Sequence, residues 1–290
     1  MFFIKLLAYL PLGLLYAIGA VISFLMYHVF RYRREVVFSN LSNSFPDTDK
    51  STIRKYTREF YNRFAQYAME TVKVLGMSER DFSKHHEFEF DPRFQQYIRE
   101  GRPIMMLTSH IFNWEWTLHA LVIKLDIPLH AVYQRLSSKA FDKYMIDSRS
   151  HTGASLIEKS HVLRDIARNR NVQRCVTLLA DQSPRKSTKK YWTRFLNQET
   201  AFFTGPDMIA KLGDYPAFFF HVKRIRRGYY NVSVEFLMEP PYEKNSQELL
   251  ERYVRALDKA IKEDPPGYLW SHKRWKLKRE ADEPISEGMG

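Results

Sequence analysis

The sequence predicts an α/β fold in which a mostly parallel central sheet is flanked by helices, preceded by an N-terminal membrane-anchor helix. Between about residues 103 and 262, short apolar runs suited to buried strands alternate with segments of helical spacing. Strands separated by helices favour parallel pairing, because a parallel crossover needs a long connection. A long amphipathic segment and, before it, a continuous apolar run complete the pattern.

The apolar run covers residues 6–30 and contains no carboxylate. It is long enough to span roughly 30 Å of hydrocarbon at ~1.5 Å per residue. A cleaved signal peptide is the alternative, but the run exceeds the usual apolar region of about 7–15 residues and bulky residues occupy the place of a cleavage site. Pro11 and Gly13 leave a tilted or half-inserted anchor open.

Basic residues follow the apolar run at Arg31, Arg33 and Arg34. Because basic flanks favour the cytoplasmic side of a membrane, the domain that follows is expected in the cytoplasm. The predicted organisation is a membrane anchor over residues 1–30, one domain over residues 31–278, and a disordered polar tail over residues 279–290.

A long helix is predicted between Ile53 and Val74, where apolar residues recur every three or four positions and charged residues lie between them. Gly76 is placed to end it. Further along, the predicted strands cover residues 103–108, 129–133, 154–157, 174–180, 217–222 and 230–237. The predicted helices cover residues 114–124, 139–150, 162–170, 206–212 and 247–262.

The composition limits the class of protein. The 290 residues are 44% hydrophobic and 27% charged, which is typical of a globular chain, and the net charge of +12 implies an anionic partner. That positive charge would attract nucleic acid, an acidic carrier protein or a bilayer surface alike. Cys175 is the only cysteine, so an intrachain disulfide is excluded, and its apolar surroundings predict a buried, inert thiol.

His110 follows the predicted buried strand 103–108, and Glu115 lies in the first turn of the next predicted helix. Ligands of α/β sheets bind beyond the carboxyl ends of strands, and an imidazole exchanges protons near neutral pH. If His110 sits in the turn before the helix, Glu115 can hold one imidazole nitrogen and leave the other for a substrate. No Gly-x-Ser-x-Gly nucleophile motif is present, so the simplest chemistry is proton removal from a substrate hydroxyl that attacks an activated acyl group.

The spacing alone does not decide between a catalytic and a structural pair, because the chain has ten histidines and most histidines are surface or packing residues. A family resemblance adds to it. Residues 109–115 fit the His-x-x-x-x-Asp/Glu motif of glycerolipid-type acyltransferases, and Asn113-Trp114-Glu115 resembles the late acyltransferases of lipid A, the lauroyl/myristoyl transferases of bacterial lipopolysaccharide synthesis. Other segments resemble that family in the same order: Arg34 to Leu41 with Phe45-Pro46, Tyr133-Gln134-Arg135, Arg149 with Gly153, Ala180-Asp181-Gln182, Phe202-Phe203-Thr204-Gly205, and residues 268–276.

The resemblance implies a glycerolipid acyltransferase-like fold at the bacterial inner membrane, an acyl carrier protein thioester as donor and a glycolipid hydroxyl as acceptor. It implies His110 as general base, Glu115 as its orienting partner, and no cofactor. The residues expected to bind substrate or stabilise an oxyanion are Asn113, Arg135, Arg149, Asp181, Thr204 and Gly205. Arg149 is equally consistent with a helix-surface arginine, Asp181 with a turn residue, and Thr204-Gly205 with a simple helix N-cap.

Two departures from the family put the acceptor's identity in question: the chain is slightly short, and residues 183–190 are unusually basic. A lysophospholipid, an aminolipid or another glycolipid is therefore the alternative acceptor. A non-enzymatic, membrane-tethered protein that binds nucleic acid or anionic lipid is a further hypothesis, although no nucleic-acid-binding motif is recognised. No metal is expected, because no spacing such as His-Glu-x-x-His occurs.

Overall fold

The structure, a computed structural model, describes the backbone of residues 2–286 and the side chains of residues 4–286. Its helices are α1 Phe2–Leu7, α2 Leu12–Phe24, α3 Arg34–Ser44, α4 Lys50–Lys73, α5 Glu79–His85, α6 Pro92–Arg99, α7 Trp114–Lys124, α8 Lys139–Arg149, α9 Val162–Arg168, α10 Gly205–Gly213 and α11 Glu248–Glu263. Its strands are β1 His86–Phe90, β2 Ile104–Thr108, β3 Leu129–Tyr133, β4 Ser155–Glu158, β5 Cys175–Leu179, β6 Lys190–Phe195, β7 Gln198–Phe203, β8 Ala217–Arg226, β9 Tyr229–Met238 and β10 Ile285–Ser286.

A seven-stranded sheet in the order β1-β9-β8-β2-β5-β3-β4 forms the centre of the molecule. Strands β8, β2, β5, β3 and β4 are parallel, whereas β9 runs antiparallel to β8 and β1 runs with β9. The predicted α/β fold with a mostly parallel sheet flanked by helices is confirmed. The carboxyl ends of the parallel strands lie at one edge of the sheet, and the candidate site is at that edge.

The central strands β2 and β5 are mostly apolar and almost wholly buried. All five residues of β2 are buried, and so are four of the five in β5, including Cys175. Helices cover both faces of a parallel sheet, so its inner strands have no solvent-facing side and need no alternating pattern.

Helix α4 starts at an N-cap formed by Asp49, which accepts hydrogen bonds from the backbone N–H groups of Ser51 (2.9 Å) and Thr52 (3.1 Å). Its apolar stripe packs into the core as predicted. Glu70 differs from the prediction, because it is buried at 1% exposure rather than placed on the polar face. Glu70 therefore needs polar partners inside the fold.

The N-terminal apolar segment is broken before Pro11, which precedes α2, and a π-helical turn, Leu25–Val29, extends α2. Leu12–Val29 is the one helical stretch in the described chain that is long and apolar enough, by length and composition, to cross a membrane. One side of α2 packs on α4: the Ser23 hydroxyl donates to Asn62 Oδ1 and the Tyr16 hydroxyl to Glu70 Oε1, both at 2.7 Å. The other side exposes apolar residues, among them Leu14, Val21 and Phe24. The segment is a candidate membrane anchor.

Several elements lie where no helix or strand is predicted: α3, α5, α6, β1 and the β6–β7 hairpin. The predicted disordered tail also differs in part. Arg279 Nε donates to Glu199 at 3.2 Å, and Ile285–Ser286 pair with β6 to complete a three-stranded sheet in the order β10-β6-β7. Residues 287–290 lie outside the described residues.

Candidate active site

His110 and Asp181 are brought together by two neighbouring strands. His110 follows β2, Asp181 follows β5, and the two strands are paired in parallel. The His110 backbone N–H donates to Asp181 Oδ2 at 3.1 Å, and His110 Nδ1 lies 2.8 Å from Asp181 Oδ1. The carboxylate therefore fixes both the backbone and the ring of His110.

Asp181 is 1% exposed. Burial alone raises the pKa of its carboxyl, but the His110 ring and the hydrogen bonds from His110 outweigh burial, so the pKa lies below the usual aspartate range. Asp181 is consequently an anion at neutral pH. An anionic acceptor at Nδ1 favours the tautomer in which Nδ1 carries the proton and Nε2 has a free lone pair.

The Gln182 side chain lies against that second nitrogen, with its Nε2 atom 3.2 Å from His110 Nε2. With Nδ1 protonated, the Gln182 amide donates to the His110 lone pair. A substrate hydroxyl must displace this amide to reach the same nitrogen.

The C-terminal segment is hydrogen-bonded to the site. The Phe112 backbone N–H donates to the Gly267 carbonyl at 2.9 Å, and the Leu269 N–H donates to the His110 carbonyl at 3.1 Å. His272 Nε2 accepts the Ser183 backbone N–H at 3.1 Å. Burial, with the Arg274 cation beside it, lowers the pKa of His272 to about 4, so the ring is neutral and suited to that acceptor role. The loops that carry His110 and Asp181 are thus held by one segment.

Glu115 is hydrogen-bonded to Arg149 rather than to His110. Arg149 Nη2 lies 2.7 Å from Glu115 Oε1, Arg149 Nε lies 3.0 Å from Glu115 Oε2, and Trp114 Nε1 donates to Oε1 at 3.2 Å. Within the described chain, no hydrogen bond joins Glu115 to His110. This corrects the expected geometry, because Glu115 lies in the first turn of α7 and pairs with Arg149 of α8, while Asp181, which follows β5, supplies the carboxylate beside the imidazole.

Burial raises the pKa of the Glu115 carboxyl, but the Arg149 cation and its two hydrogen bonds bring it below the usual range. Burial lowers the pKa of Arg149, but Glu115 outweighs it and holds that pKa above the ordinary value. Both groups are therefore charged, and they form a bidentate ion pair at the end of α8.

Trp114 lies between the His110–Asp181 pair and the Glu115–Arg149 pair. Its ring meets the His110 ring edge-on at 4.6 Å between centroids, and it packs on Tyr67 at 4.3 Å. Trp114 lines two small cavities. The first contains His110, and the second contains Glu115 and Arg149.

The first cavity, named here the His110 cavity, is bounded by α4, the residue 266–269 segment and the end of β8. Two cations line it: Arg63, which pairs with both Glu59 and Asp264, and Arg224, whose Nη2 donates to Gln66 Oε1 at 2.5 Å. The cavity therefore combines a proton-accepting imidazole with positive charge.

The second cavity, named here the apolar slot, lies over the carboxyl ends of β3 and β5. Apart from Glu115 and Arg149, which pair with each other, its walls are mostly apolar and include Leu118, Val132 and Leu179. Trp114 separates this mostly apolar space from His110, and such a space suits an apolar group.

Asn113 is completely buried and does not line either cavity. Its Oδ1 accepts the Trp116 backbone N–H at 3.0 Å and its Nδ2 donates to Glu70 Oε2 at 2.8 Å. The structure thus gives this predicted substrate-binding residue a positioning role, as the N-cap of α7.

Arg135, Thr204 and Gly205 are also separate from His110. All three line an open groove at the ends of β3 and β4, named here the basic groove. Arg135 is paired with Glu158 at 2.8 Å. The Thr204 side chain makes no capping hydrogen bond.

Sequence reasoning missed the partner of His110, since 71 positions separate it from Asp181. The available signal was that each residue directly follows a buried strand. The buried Glu70 was missed as well; it accepts hydrogen bonds from Tyr16, Tyr230 and Asn113. No group of three or more His, Cys, Asp or Glu side chains within the described residues is placed to hold a metal ion, and the absence of a metal requirement stays a prediction.

A family model described as bacterial lipid A biosynthesis acyltransferase matches residues 1–277 of the chain. No curated protein matches it.

Proposed function

The chain belongs to the bacterial lipid A biosynthesis acyltransferase family and is an acyltransferase, and from that premise we propose that it moves a fatty acyl chain from an acyl carrier protein thioester to a hydroxyl of a lipid A precursor. The observation that supports this best is the His110–Asp181 pair, because the carboxylate holds Nδ1 of an imidazole that lines a cavity.

In the proposed reaction, His110 Nε2 removes the proton of the acceptor hydroxyl while Asp181 stabilises the imidazolium that forms. The alkoxide oxygen attacks the thioester carbonyl carbon, an ester bond forms and the carbon–sulfur bond breaks. The carrier thiolate leaves and takes the proton from His110 Nε2. Every atom of the reaction is accounted for without a cofactor.

Direct transfer is supported by the surroundings of the imidazole. Its hydrogen-bond partners in the described chain are Asp181 and Gln182, and neither is a nucleophile of the serine or cysteine type. Cys175 lies at the opposite end of β5, and burial raises the pKa of its thiol. The attacking oxygen is therefore assigned to the acceptor.

Glu115 supports the reaction indirectly in this proposal. It fixes Arg149 at the wall of the apolar slot, where the slot approaches Trp114 and His110. The slot would receive the acyl chain, so Arg149 would stand near the polar end of the thioester. Two bonds to one carboxylate orient its guanidinium, and a planar cation in that place suits a developing oxyanion.

The acceptor is assigned to the His110 cavity. Arg224, which forms no ion pair within the described residues, supplies positive charge for a phosphate group of a glycolipid, whereas Arg63 is already paired with Glu59 and Asp264. The cavity also borders the anchor region, since its lining residue Tyr230 donates to Glu70, which binds Tyr16 of α2. With the exposed side of α2 in the bilayer, the acceptor would enter from the membrane, with the catalytic domain on the cytoplasmic side of the inner membrane.

The test uses the purified full-length protein with an acyl carrier protein thioester and a lipid A precursor, with product masses measured. One added acyl chain is expected, and His110→Ala is expected to lower the rate roughly 100-fold or more with folding intact. Unchanged transfer by His110→Ala overturns the proposal. A mass increase on a lysophospholipid, an aminolipid or another glycolipid, with none on lipid A, assigns the alternative acceptor. Loss of activity on chelation that one metal restores contradicts the cofactor-free reaction.

A further inference from the structure

The basic groove is a second surface at the same edge of the sheet as His110. It is formed by the ends of β3 and β4, the segment before β6 and the start of α10. Four cations line it, Arg135, Lys159, Arg185 and Lys189, against one carboxylate, that of Glu158. The proposed reaction gives none of these residues a role.

The positive charge of the groove is mostly uncompensated. Glu158 is engaged by Arg135 at 2.8 Å, and no Asp or Glu of the described chain forms an ion pair with Lys159, Arg185 or Lys189. Burial and, to a smaller extent, the nearby Arg185 cation lower the pKa of Lys159. Assembling such a set costs free energy unless an anionic partner neutralises it.

Apolar side chains accompany the cations. Met208 in the groove is 47% exposed, and Leu136, next to Arg135, is 41% exposed. The Lys159 ammonium stands 4.2 Å from the centroid of the Phe203 ring. Exposed apolar groups within a basic rim are the pattern expected of a protein-binding surface for an acidic partner.

The groove lies on the far side of His110 from the anchor. The β8–β9 turn meets α2, where the Arg227 guanidinium is 5.0 Å from the Tyr16 ring centroid. Along the sheet, β8 is followed by β2 with His110, then β5, β3 and β4. At ~4.8 Å per strand, the end of β4 is roughly 14 Å from that of β2.

The groove also adjoins the apolar slot. Tyr133 lines the slot, and the next two residues, Gln134 and Arg135, line the groove. A partner on the groove is therefore beside the space assigned to the acyl chain, while the His110 cavity stays free for the acceptor.

We propose that the basic groove is the docking surface for the acidic carrier protein that delivers the acyl thioester. The assignment rests on the proposed function, because the acyl carrier protein donor is part of that proposal. Along the sheet, His110 lies between the anchor and the groove. This order favours a soluble partner over a bilayer surface, since it separates the carrier from the membrane-held acceptor.

The test reverses charge at two exposed residues with Arg185→Glu/Lys189→Glu. Electrostatic complementarity governs encounter, so KM for the carrier thioester is expected to rise about tenfold or more, with kcat within about twofold. KM for the acceptor and the rate with an acyl thioester of a small thiol are expected to stay unchanged. The matched control is Arg168→Glu/Arg170→Glu, two exposed arginines at the opposite edge of the sheet.

Carrier binding is measured separately in the His110→Ala background by titration calorimetry, with circular dichroism as the folding check. The proposal predicts that wild-type groove residues bind the carrier, that the charge reversal weakens binding about tenfold or more, and that the control does not. Equal effects in both double variants, or unchanged carrier binding, overturn it. A rise in the acceptor KM, or lost binding to anionic phospholipid vesicles with carrier binding intact, assigns the groove to lipid and also overturns it. Failure of the proposed function would be seen differently, because the wild-type protein would then transfer no acyl chain from any donor.

Discussion

Asp181 and Glu70 are both carboxylates shut off from water, at 1% exposure each, yet their pKa values move in opposite directions. Burial raises the pKa in both cases. At Asp181 the His110 ring and its hydrogen bonds reverse the shift, whereas at Glu70 the hydrogen bonds from neutral tyrosine and asparagine groups do not. Because the two groups are equally buried, the partner decides the direction of each pKa shift.

The two regions differ accordingly in what they can do. Asp181 is an anion beside a titratable ring that faces a cavity, which is the arrangement of a proton-transfer site. Glu70 joins α2, α4, α7 and β9 through Tyr16, Asn113 and Tyr230, and it does not line the His110 cavity. The comparison therefore separates a chemical role from a structural one, and substitution tests it.

The largest effect is expected for Asp181→Asn. An amide at this place no longer stabilises an imidazolium and allows the wrong tautomer of His110, so kcat should fall roughly 100- to 10,000-fold. The measurement is single-turnover acyl transfer. The matched control is Asp207→Asn, because Asp207 is also buried but pairs with Lys211 at 2.8 Å. Comparable losses in both variants would mean that the Asp181 effect is structural.

Glu115→Gln is expected to have an intermediate effect. It removes the charged partner that orients Arg149 but leaves the His110–Asp181 pair intact, so a loss of about tenfold in kcat is expected. If Glu115 acts through Arg149, the double variant with Arg149→Met should be no worse than the Arg149→Met variant alone. Additive losses of kcat, or a loss as large as that of Asp181→Asn, would indicate that Glu115 acts directly on His110.

Glu70→Gln should change stability rather than chemistry, with kcat within about threefold of wild type. The folded-state pKa of Glu70 is raised, so its contribution to stability is full below the unfolded value of about 4.3 and is lost as pH rises toward the folded pKa. The Glu70→Gln variant has no titratable group at this position, so it does not lose this stability as pH rises. Its Tm relative to wild type should therefore increase from acid to neutral pH, by roughly 2–4 °C for each kcal/mol.

The corresponding control is Asp181→Asn, whose pH trend has the opposite sign. The lowered pKa of Asp181 gives stability that is present above the unfolded value of about 3.9 and is lost as pH falls through the folded pKa. Over about pH 5–8 that contribution is constant. A flat Tm difference for Glu70→Gln over the same range would show that Glu70 is ionised in the fold like Asp181.

Sequence patterns predicted the sheet well because its central strands are short apolar runs with clear boundaries. The helix predicted at residues 114–124 and the strand predicted at 129–133 coincide with α7 and β3. The β6–β7 hairpin was missed, since Lys190–Phe195 carries charged and polar residues on an exposed side. Its order depends on packing rather than on local pattern.

The site was predicted less completely than the fold. His110 follows from its place at a strand end, but the strand order that puts β5 beside β2 is a tertiary property that local spacing does not contain. The five-residue spacing therefore favoured Glu115, and the structure places Asp181 at the imidazole instead. Asn113 was expected to contact substrate because of the family resemblance. Its N-cap bond to Trp116 is local, whereas its bond to Glu70 depends on a buried partner 43 residues away.

The smallest expected effect concerns the amide that lies against the free nitrogen of His110. Gln182→Ala removes a hydrogen bond that the acceptor hydroxyl has to displace, 3.2 Å long in the structure. A hydrogen bond of this kind contributes about 1 kcal/mol, so kcat/KM for the acceptor should rise up to about fivefold, with the carrier KM unchanged. Steady-state kinetics with varied acceptor give the value. A tenfold loss instead would show that the amide holds a reacting group, and the Gln182–His110 contact would then belong to the catalytic machinery together with the His110–Asp181 pair.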